Sequence, residues 1–326
     1  MAYFNTIVNP YSLRKLLEEK AAELGFLEFG VAKAEALDEE AWRLREYLDL
    51  GYHASMEWMA RKVQRRTNPR EVVTGAQSVI MVSYNYYTGR APEDNNKAKI
   101  SNYAWGDDYH DIVTPKVREL EAYLRDIAET EVNSRSYVDT GPIMEKAWAA
   151  RAGIGWIGKH TNLIHRDHGS WFFLGAIIAN VKLEYDAPIP DYCGSCQKCI
   201  EACPTDAIVE EYVLDSNKCL SFLTIENRVD TIPEPEASNM EGWIYGCDIC
   251  QNVCPWNNSF EHATDDPHFE AREVNVNRDL KDWLGLSVHE YRERFRNSPV
   301  KRAKYEGIQR NVRAALGHQN EEGADL

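Results

Sequence analysis

Cys193-Gly-Ser-Cys196-Gln-Lys-Cys199-Ile-Glu-Ala-Cys203-Pro204 decides how the rest of the chain is read. Its spacing, C-x2-C-x2-C-x3-C-P, is the bacterial ferredoxin run, in which three close thiolates wrap one iron–sulfur cubane and the fourth turns to a second. A zinc site is the plain alternative, because four-cysteine zinc sites also use C-x2-C pairs. Zinc needs only four ligands and has no use for the x2-x2-x3-Pro rhythm. Cys247-Asp-Ile-Cys250-Gln-Asn-Val-Cys254-Pro255 then repeats the end of the run, with Ile244 where its first cysteine belongs. Only Cys219 is left to supply that thiolate. Cross-ligation assigns one [4Fe–4S] cluster to Cys193, Cys196, Cys199 and Cys254, and the other to Cys203, Cys219, Cys247 and Cys250. All eight cysteines are used.

The totals agree with an intracellular metalloprotein. The 326 residues are 44% hydrophobic and 27% charged, an ordinary globular mixture. Cysteines confined to positions 193–254 are not a disulfide framework where thiols are kept reduced. The longest apolar stretch, Trp171-Phe-Phe-Leu-Gly-Ala-Ile-Ile-Ala179, falls well short of the ~18 residues of a membrane helix. The N-terminus lacks the features of a signal peptide. These readings place the protein in the cytoplasm, with no membrane partner. The net charge of −15 argues against a generally nucleic-acid-coated surface and leaves room for a local basic face.

Residues 1–185 read as alternating helices and strands. Leu13, Leu16, Leu17, Ala21 and Leu24 recur at helical spacing, and Ser78-Val-Ile-Met-Val-Ser-Tyr84 is a buried-strand pattern. Thr114-Pro115 predicts the opening of a second helix. Tyr137-Val138 predicts a short strand ending in the turn Asp139-Thr-Gly141. A helix over 145–152 and a strand over 171–181 follow. The class expected is α+β with one main sheet. Prolines at 188 and 190 mark a break, so residues 186–265 form a two-cluster ferredoxin-like module and 266–326 a basic helical segment. A free-standing ferredoxin needs little beyond the module, so the excess chain argues for an enzyme fed by the clusters. Neither a dinucleotide fingerprint nor an NTPase loop is present in the right context. Gly153-Ile-Gly155-Trp-Ile-Gly158 follows a helix, and reads either as turn chemistry or as close approach to a ligand.

Several stretches together carry a resemblance. Tyr103-Ala-Trp-Gly-Asp-Asp-Tyr-His110, Val138-Asp-Thr-Gly141, Arg151-Ala-Gly-Ile-Gly-Trp-Ile-Gly-Lys159 and Cys219-Leu-Ser-Phe-Leu-Thr224 resemble the epoxyqueuosine reductase family. So do Tyr245-Gly-Cys-Asp-Ile-Cys-Gln-Asn-Val-Cys-Pro255 and the tail from Val300 to Arg313. The resemblance covers nearly the whole chain. It implies a nitroreductase-like cobalamin-binding domain ahead of the ferredoxin module. The activity it implies is reduction of epoxyqueuosine to queuosine at the wobble position of tRNA, the last step of queuosine biosynthesis. Longer members add helical repeats after the point where this chain ends, and many have a basic residue where Asp107 stands.

By the same resemblance, electrons from an external low-potential donor pass through both clusters to cobalamin, whose cobalt does the difficult chemistry. Asp139 is the implied proton donor. An aspartate of reference pKa about 3.9 needs an upward shift by burial to serve as an acid near neutrality. Read without the family, Asp139 caps a turn or the next helix. Implied cobalamin contacts are Arg66, Ser101, Asp139, Leu163, Leu174 and Ser221. Arg66 also fits a solvated basic run, and no histidine is assigned to cobalt. Positions 289–313 carry eight basic residues, Arg292, Arg294, Arg296, Lys301, Arg302, Lys304, Arg310 and Arg313, against three acidic ones. With Tyr291, Phe295 and Tyr305 interleaved, this segment suits phosphate contact and base stacking, with a solvated helix face as the alternative. The expected protein is a monomeric oxidoreductase. Its rivals are a dehalogenase-like cobalamin reductase acting on a small molecule and a two-cluster electron carrier.

Overall fold

The computed structural model describes residues 10–89, 97–260, 262–273 and 275–322; the outermost parts of the first and last expected regions, 1–9 and 323–326, lie outside these. Ser78–Asn85 is buried at seven successive positions, as expected of a strand covered on both faces. It pairs antiparallel with Glu28–Lys33 on one side and Phe172–Ala179 on the other, and Ser134–Tyr137 extends the sheet past the latter. Side chains alternate along it. Ile80, Val82 and Tyr84 pack with Leu13, Leu17, Val117 and Leu120 of the helices Pro10–Glu23 and Tyr109–Ile127. Val79 and Met81 pack with Ala147 and Trp148 of the helix Glu145–Arg151. The sheet is thus the middle layer of an α+β fold. A Cβ at Gly175 would come within 2.6 Å of Val117, so glycine lets the long helix lie close to the sheet.

That long helix differs from expectation in its start. It begins at Tyr109, where Asp108 caps it by accepting the His110 N–H, and Pro115 lies inside it. Proline is favoured in a first turn because its missing N–H costs nothing there, and so it suggested an opening that the Asp108 cap sets six residues earlier. The consequence is functional, because the first turn carries Tyr109 and His110 toward Asp139.

The break at 186–190 is pinned along the sheet. Asp186 donates its N–H to the Val31 carbonyl, and its carboxylate accepts from Val31 N and from Arg14. One core then draws on all three expected regions. Ile100, Trp105, Leu223, Trp243, Tyr245, Trp283, Ile308 and Val312 are buried together, and Trp243–Tyr245 pairs parallel with Lys99–Ile100. The closing helix Lys304–Glu322 packs on Leu280–Leu284 and Trp243–Tyr245. Among the described residues, no helix is long and apolar enough to cross a membrane.

Candidate active site

Short helices Lys198–Glu201 and Ile249–Asn252 follow the paired-cysteine turns and pack against each other. Two groups of thiols result. Cys199 feels the charge of Cys193, Cys254 and Cys196, while Cys250 feels that of Cys219 and Cys203, and Cys247 that of Cys250 and Cys219. Cys250 also feels Cys199, so the two groups adjoin. Burial first, and then neighbouring thiols, push Cys199 up to about 11; a metal bound there must displace the proton. Ile244 is fully buried in the strand Trp243–Tyr245. Cys219, at the N-cap of the helix Leu220–Ile225, stands with the group that lacks a fourth thiol.

Cys203, Cys219, Cys247 and Cys250 all open onto a cavity of about 390 Å³. Of the residues implied as cofactor contacts, Ser101, Leu163, Leu174 and Ser221 line the same cavity, and Arg66 and Asp139 do not. Ser101 follows the strand Lys99–Ile100, and its hydroxyl donates to Asp248, a buried carboxyl pushed up to about 6 by desolvation. A Cβ at Gly246, whose φ is +70°, would strike Ser101. Leu174 projects from the middle of Phe172–Ala179, and Ser221 lies two residues past Cys219. Lys146 reaches the cavity as well, donating to the Thr161 carbonyl and Asn162 Oδ1 at 3.1 and 2.9 Å. His160 lines it with a buried Nε2 that has no partner, and burial holds this imidazole down to about 4. Arg66 instead stacks on Trp58, 5.0 Å from the ring centroid, and donates to the Trp58 carbonyl while its Nε stays buried and unpartnered.

Asp139 sits in the left-handed region at φ +59°, a conformation aspartate tolerates better than most residues. Two contacts hold it there. Glu145 Oε1 accepts the Asp139 N–H at 2.6 Å, and Tyr109 donates its hydroxyl to Asp139 Oδ2 at 2.9 Å. The carboxylate itself is 65% exposed. His110 Nε2 stands 3.7 Å from Asp139 Oδ2, a charge contact rather than a hydrogen bond, and its Nδ1 meets Asp108 Oδ1 at 2.8 Å. Asp108 in turn pairs with Lys301 at 2.9 Å. Desolvation works against the His110 cation, yet Asp108 and Asp139 together push it up to about 9.

The expected upward shift of Asp139 is therefore overturned. His110 first, against an opposing desolvation, and Tyr109 next hold its carboxyl below the ordinary value. The raised carboxyl is Glu145, pushed to about 8 by burial and then by the Asp139 charge. Near neutrality the protons of this turn reside on His110 and Glu145. Sequence reasoning missed both roles: Tyr109 and His110 lay in a quoted motif without an assigned task, and nothing local marks Glu145, Lys146 or His160.

The basic tail is largely committed to the fold. Tyr291 and Phe295 are core residues, and Tyr305 donates to the Leu286 carbonyl, which overturns the expectation that these rings are free to stack on bases. Arg310 is buried and donates to the carbonyls of Leu223, Asn227 and Val229. Arg302 forms two 2.8 Å bonds to Glu226. Lys301 holds Asp108. Of the eight basic residues in this tail, Arg292, Lys304 and Arg313 are exposed and form no ion pair among the described residues. Asp107 is matched by Arg272 at 2.5 Å and His268 at 3.0 Å.

Comparison with known proteins bears on this arrangement. A family described as "4Fe-4S double cluster binding domain" matches residues 192–257, and one described as "Epoxyqueuosine reductase QueG, DUF1730" matches residues 66–140. An epoxyqueuosine reductase of Synechocystis sp. is 48% identical over 280 residues, which is 86% of this chain and 96% of that protein. The crystal structure of an epoxyqueuosine reductase with an epoxyqueuosine-modified tRNA-Tyr stem loop superposes with a TM-score of 0.88 at 31% identity, covering 97% of this chain and 84% of that one. A Bacillus subtilis epoxyqueuosine reductase, solved with its aspartate-bearing catalytic loop swung out of the active site, gives the same TM-score, identity and coverage.

Proposed function

The chain belongs to the epoxyqueuosine reductase family, and on that premise we propose how its residues reduce epoxyqueuosine to queuosine at the wobble position of tRNA. It is an oxidoreductase with a double [4Fe–4S] cluster domain. The single observation that carries the reading is that four cysteine thiols of one group share a cavity with Ser101, Leu163, Leu174 and Ser221. An electron path and a substrate-facing cofactor site meet there. In this reading Cys193, Cys196, Cys199 and Cys254 hold the outer cluster, which faces an external low-potential donor. Cys203, Cys219, Cys247 and Cys250 hold the inner one.

The cavity fits cobalamin on the chemistry of its walls. Leu163, Leu174, Phe172 and Phe173 offer apolar faces, while the unpartnered His160 Nε2 and the Ser221 hydroxyl offer polar contact for a ring bearing amide groups. When bound, cobalamin supplies the electron pair that opens the epoxide. Converting an epoxide to an alkene takes two electrons and two protons and releases water. The chain's own residues manage the protons. Asp139, on a turn held by Glu145 and Tyr109, takes a proton from the His110 imidazolium 3.7 Å away and passes it to the departing oxygen, and solvent supplies the second proton. The Bacillus subtilis relative, solved with its aspartate-bearing catalytic loop swung out of the active site, supports a catalytic role for the exposed Asp139. Epoxyqueuosine-bearing tRNA is the substrate, its base unstacked to reach the cavity.

The test is turnover. Protein with both clusters assembled, given cobalamin and a low-potential reductant, is expected to convert epoxyqueuosine-containing tRNA. Asp139→Asn is expected to keep iron content and cobalamin binding while losing about 100-fold or more in kcat. Undiminished turnover by the variant returns Asp139 to a turn cap, and no turnover by the wild type overturns the reading.

A further inference from the structure

None of Glu28, His165 and His168 lines the active-site cavity, and the reaction gives them no task. Glu28 opens the edge strand Glu28–Lys33. His165 and His168 come from the tight loop between Leu163–Ile164 and Phe172–Ala179, closed by paired His165–Gly169 backbone bonds of 2.7 and 3.1 Å. Their rings stack 4.7 Å apart and 19° from parallel. Both Nε2 atoms stand 3.3 Å from the same oxygen, Glu28 Oε1, and the three candidate ligand atoms lie within 4.8 Å of one another.

We propose that Glu28, His165 and His168 form a site for a divalent cation of the zinc class, clasping the edge strand to the 165–169 loop. Zinc bonds of about 2.0–2.1 Å at the tetrahedral angle set neighbouring ligand atoms roughly 3.3–3.4 Å apart. Both carboxylate–imidazole pairs already have that spacing. The plain alternative is a hydrogen-bonded trio, but 3.3 Å is longer than the ~2.7–3.2 Å of N–H···O bonds. Two imidazoles and one carboxylate suit zinc over magnesium or calcium, which prefer all-oxygen shells. At 13%, 25% and 30% exposure, the three side chains are sheltered yet reachable.

No lysine or arginine pairs with Glu28 among the described residues, so its carboxylate has no cationic side chain to compete with a metal. Metal at His165 Nε2 moves the ring proton to Nδ1, which now accepts the Asp167 N–H at 3.1 Å. That one local bond is given up for three coordinate bonds. Water completes the shell beside these three ligands.

The experiment uses protein whose cysteines are already filled with iron and sulfide, so that thiols do not compete. Zinc is added anaerobically, and bound zinc is measured by equilibrium dialysis with elemental analysis. The wild type is expected to hold one zinc beyond its iron and to melt at a higher temperature with it. The His165→Ala/His168→Ala double variant is expected to hold none, at unchanged iron content. His168→Gln and Glu28→Gln, which keep most of the packing, are expected to weaken binding at least about tenfold. Equal zinc in wild type and His168→Gln, or no zinc retained by the wild type, overturns the proposal.

Discussion

Asp139, His110 and Glu145 show how little a residue's own chemistry says about the proton it carries. Asp139 is a carboxyl whose neighbours favour its charged form, while Glu145, six residues on at the start of the next helix, is a carboxyl whose surroundings disfavour it. The difference is a nearby imidazolium in one case and burial beside a like charge in the other. His110 has a folded value of about 9, above its ordinary 6.5. Its contribution to stability is therefore fully present below pH 6.5 and is lost as pH rises through about 9. The melting temperature of wild type is expected to exceed that of His110→Gln by a gap that is largest in acid and closes by that upper limit. Thermal melts of the two proteins across this window check it. A constant gap would show that His110 is not held charged by Asp108 and Asp139. Tyr109 and His110 were readable as residues of a motif, but their contact with Asp139 crosses 29–30 positions and follows only from the helix start at Asp108.

At the scale of elements, the closing helix Lys304–Glu322 illustrates a charged surface turned inward. Its Arg310 is 7% exposed and satisfies three carbonyls of the 220–229 segment, just past Cys219. Arg310→Ala is expected to lower unfolding free energy by about 3 kcal/mol, because buried acceptors lose charged donors. Chemical denaturation reads this as a lower midpoint, and a change below ~1 kcal/mol would mean that water replaces the guanidinium. The helix still offers Lys304 and Arg313, with Arg292 on the neighbouring Val288–Arg294 helix. Neutralising these three is expected to weaken tRNA binding and to reduce the slope of affinity against salt by up to about three. An unchanged slope places the RNA face elsewhere. The eightfold basic run was legible in the sequence, whereas which of its members remain available depends on Glu226, Asp108 and three backbone carbonyls distant in the chain.

For the whole molecule, the clusters and the sheet domain share a wall. Cys219→Ala removes one ligand from the group that opens onto the cavity, and is expected to leave roughly four of eight irons. Turnover is expected to vanish with them. Iron analysis beside single-turnover assay checks both, and a full complement of eight irons would move Cys219 out of the ligand set. The cysteine spacing, the buried strand Ser78–Asn85 and the α+β class were set by the sequence alone, because ligand runs and periodic burial are local patterns that survive in any surroundings. Counting put Cys219 forward as the displaced ligand, since every other cysteine already had a place in the two runs. Tertiary structure alone decided the rest: that Lys99–Ile100 and Trp243–Tyr245 join into one strand pair, that Glu145 holds the Asp139 turn, and that Lys301 anchors Asp108. Each of these links residues far apart in sequence. Their charge and packing have meaning only once the fold has brought them within a few ångströms and excluded the water that would otherwise screen them.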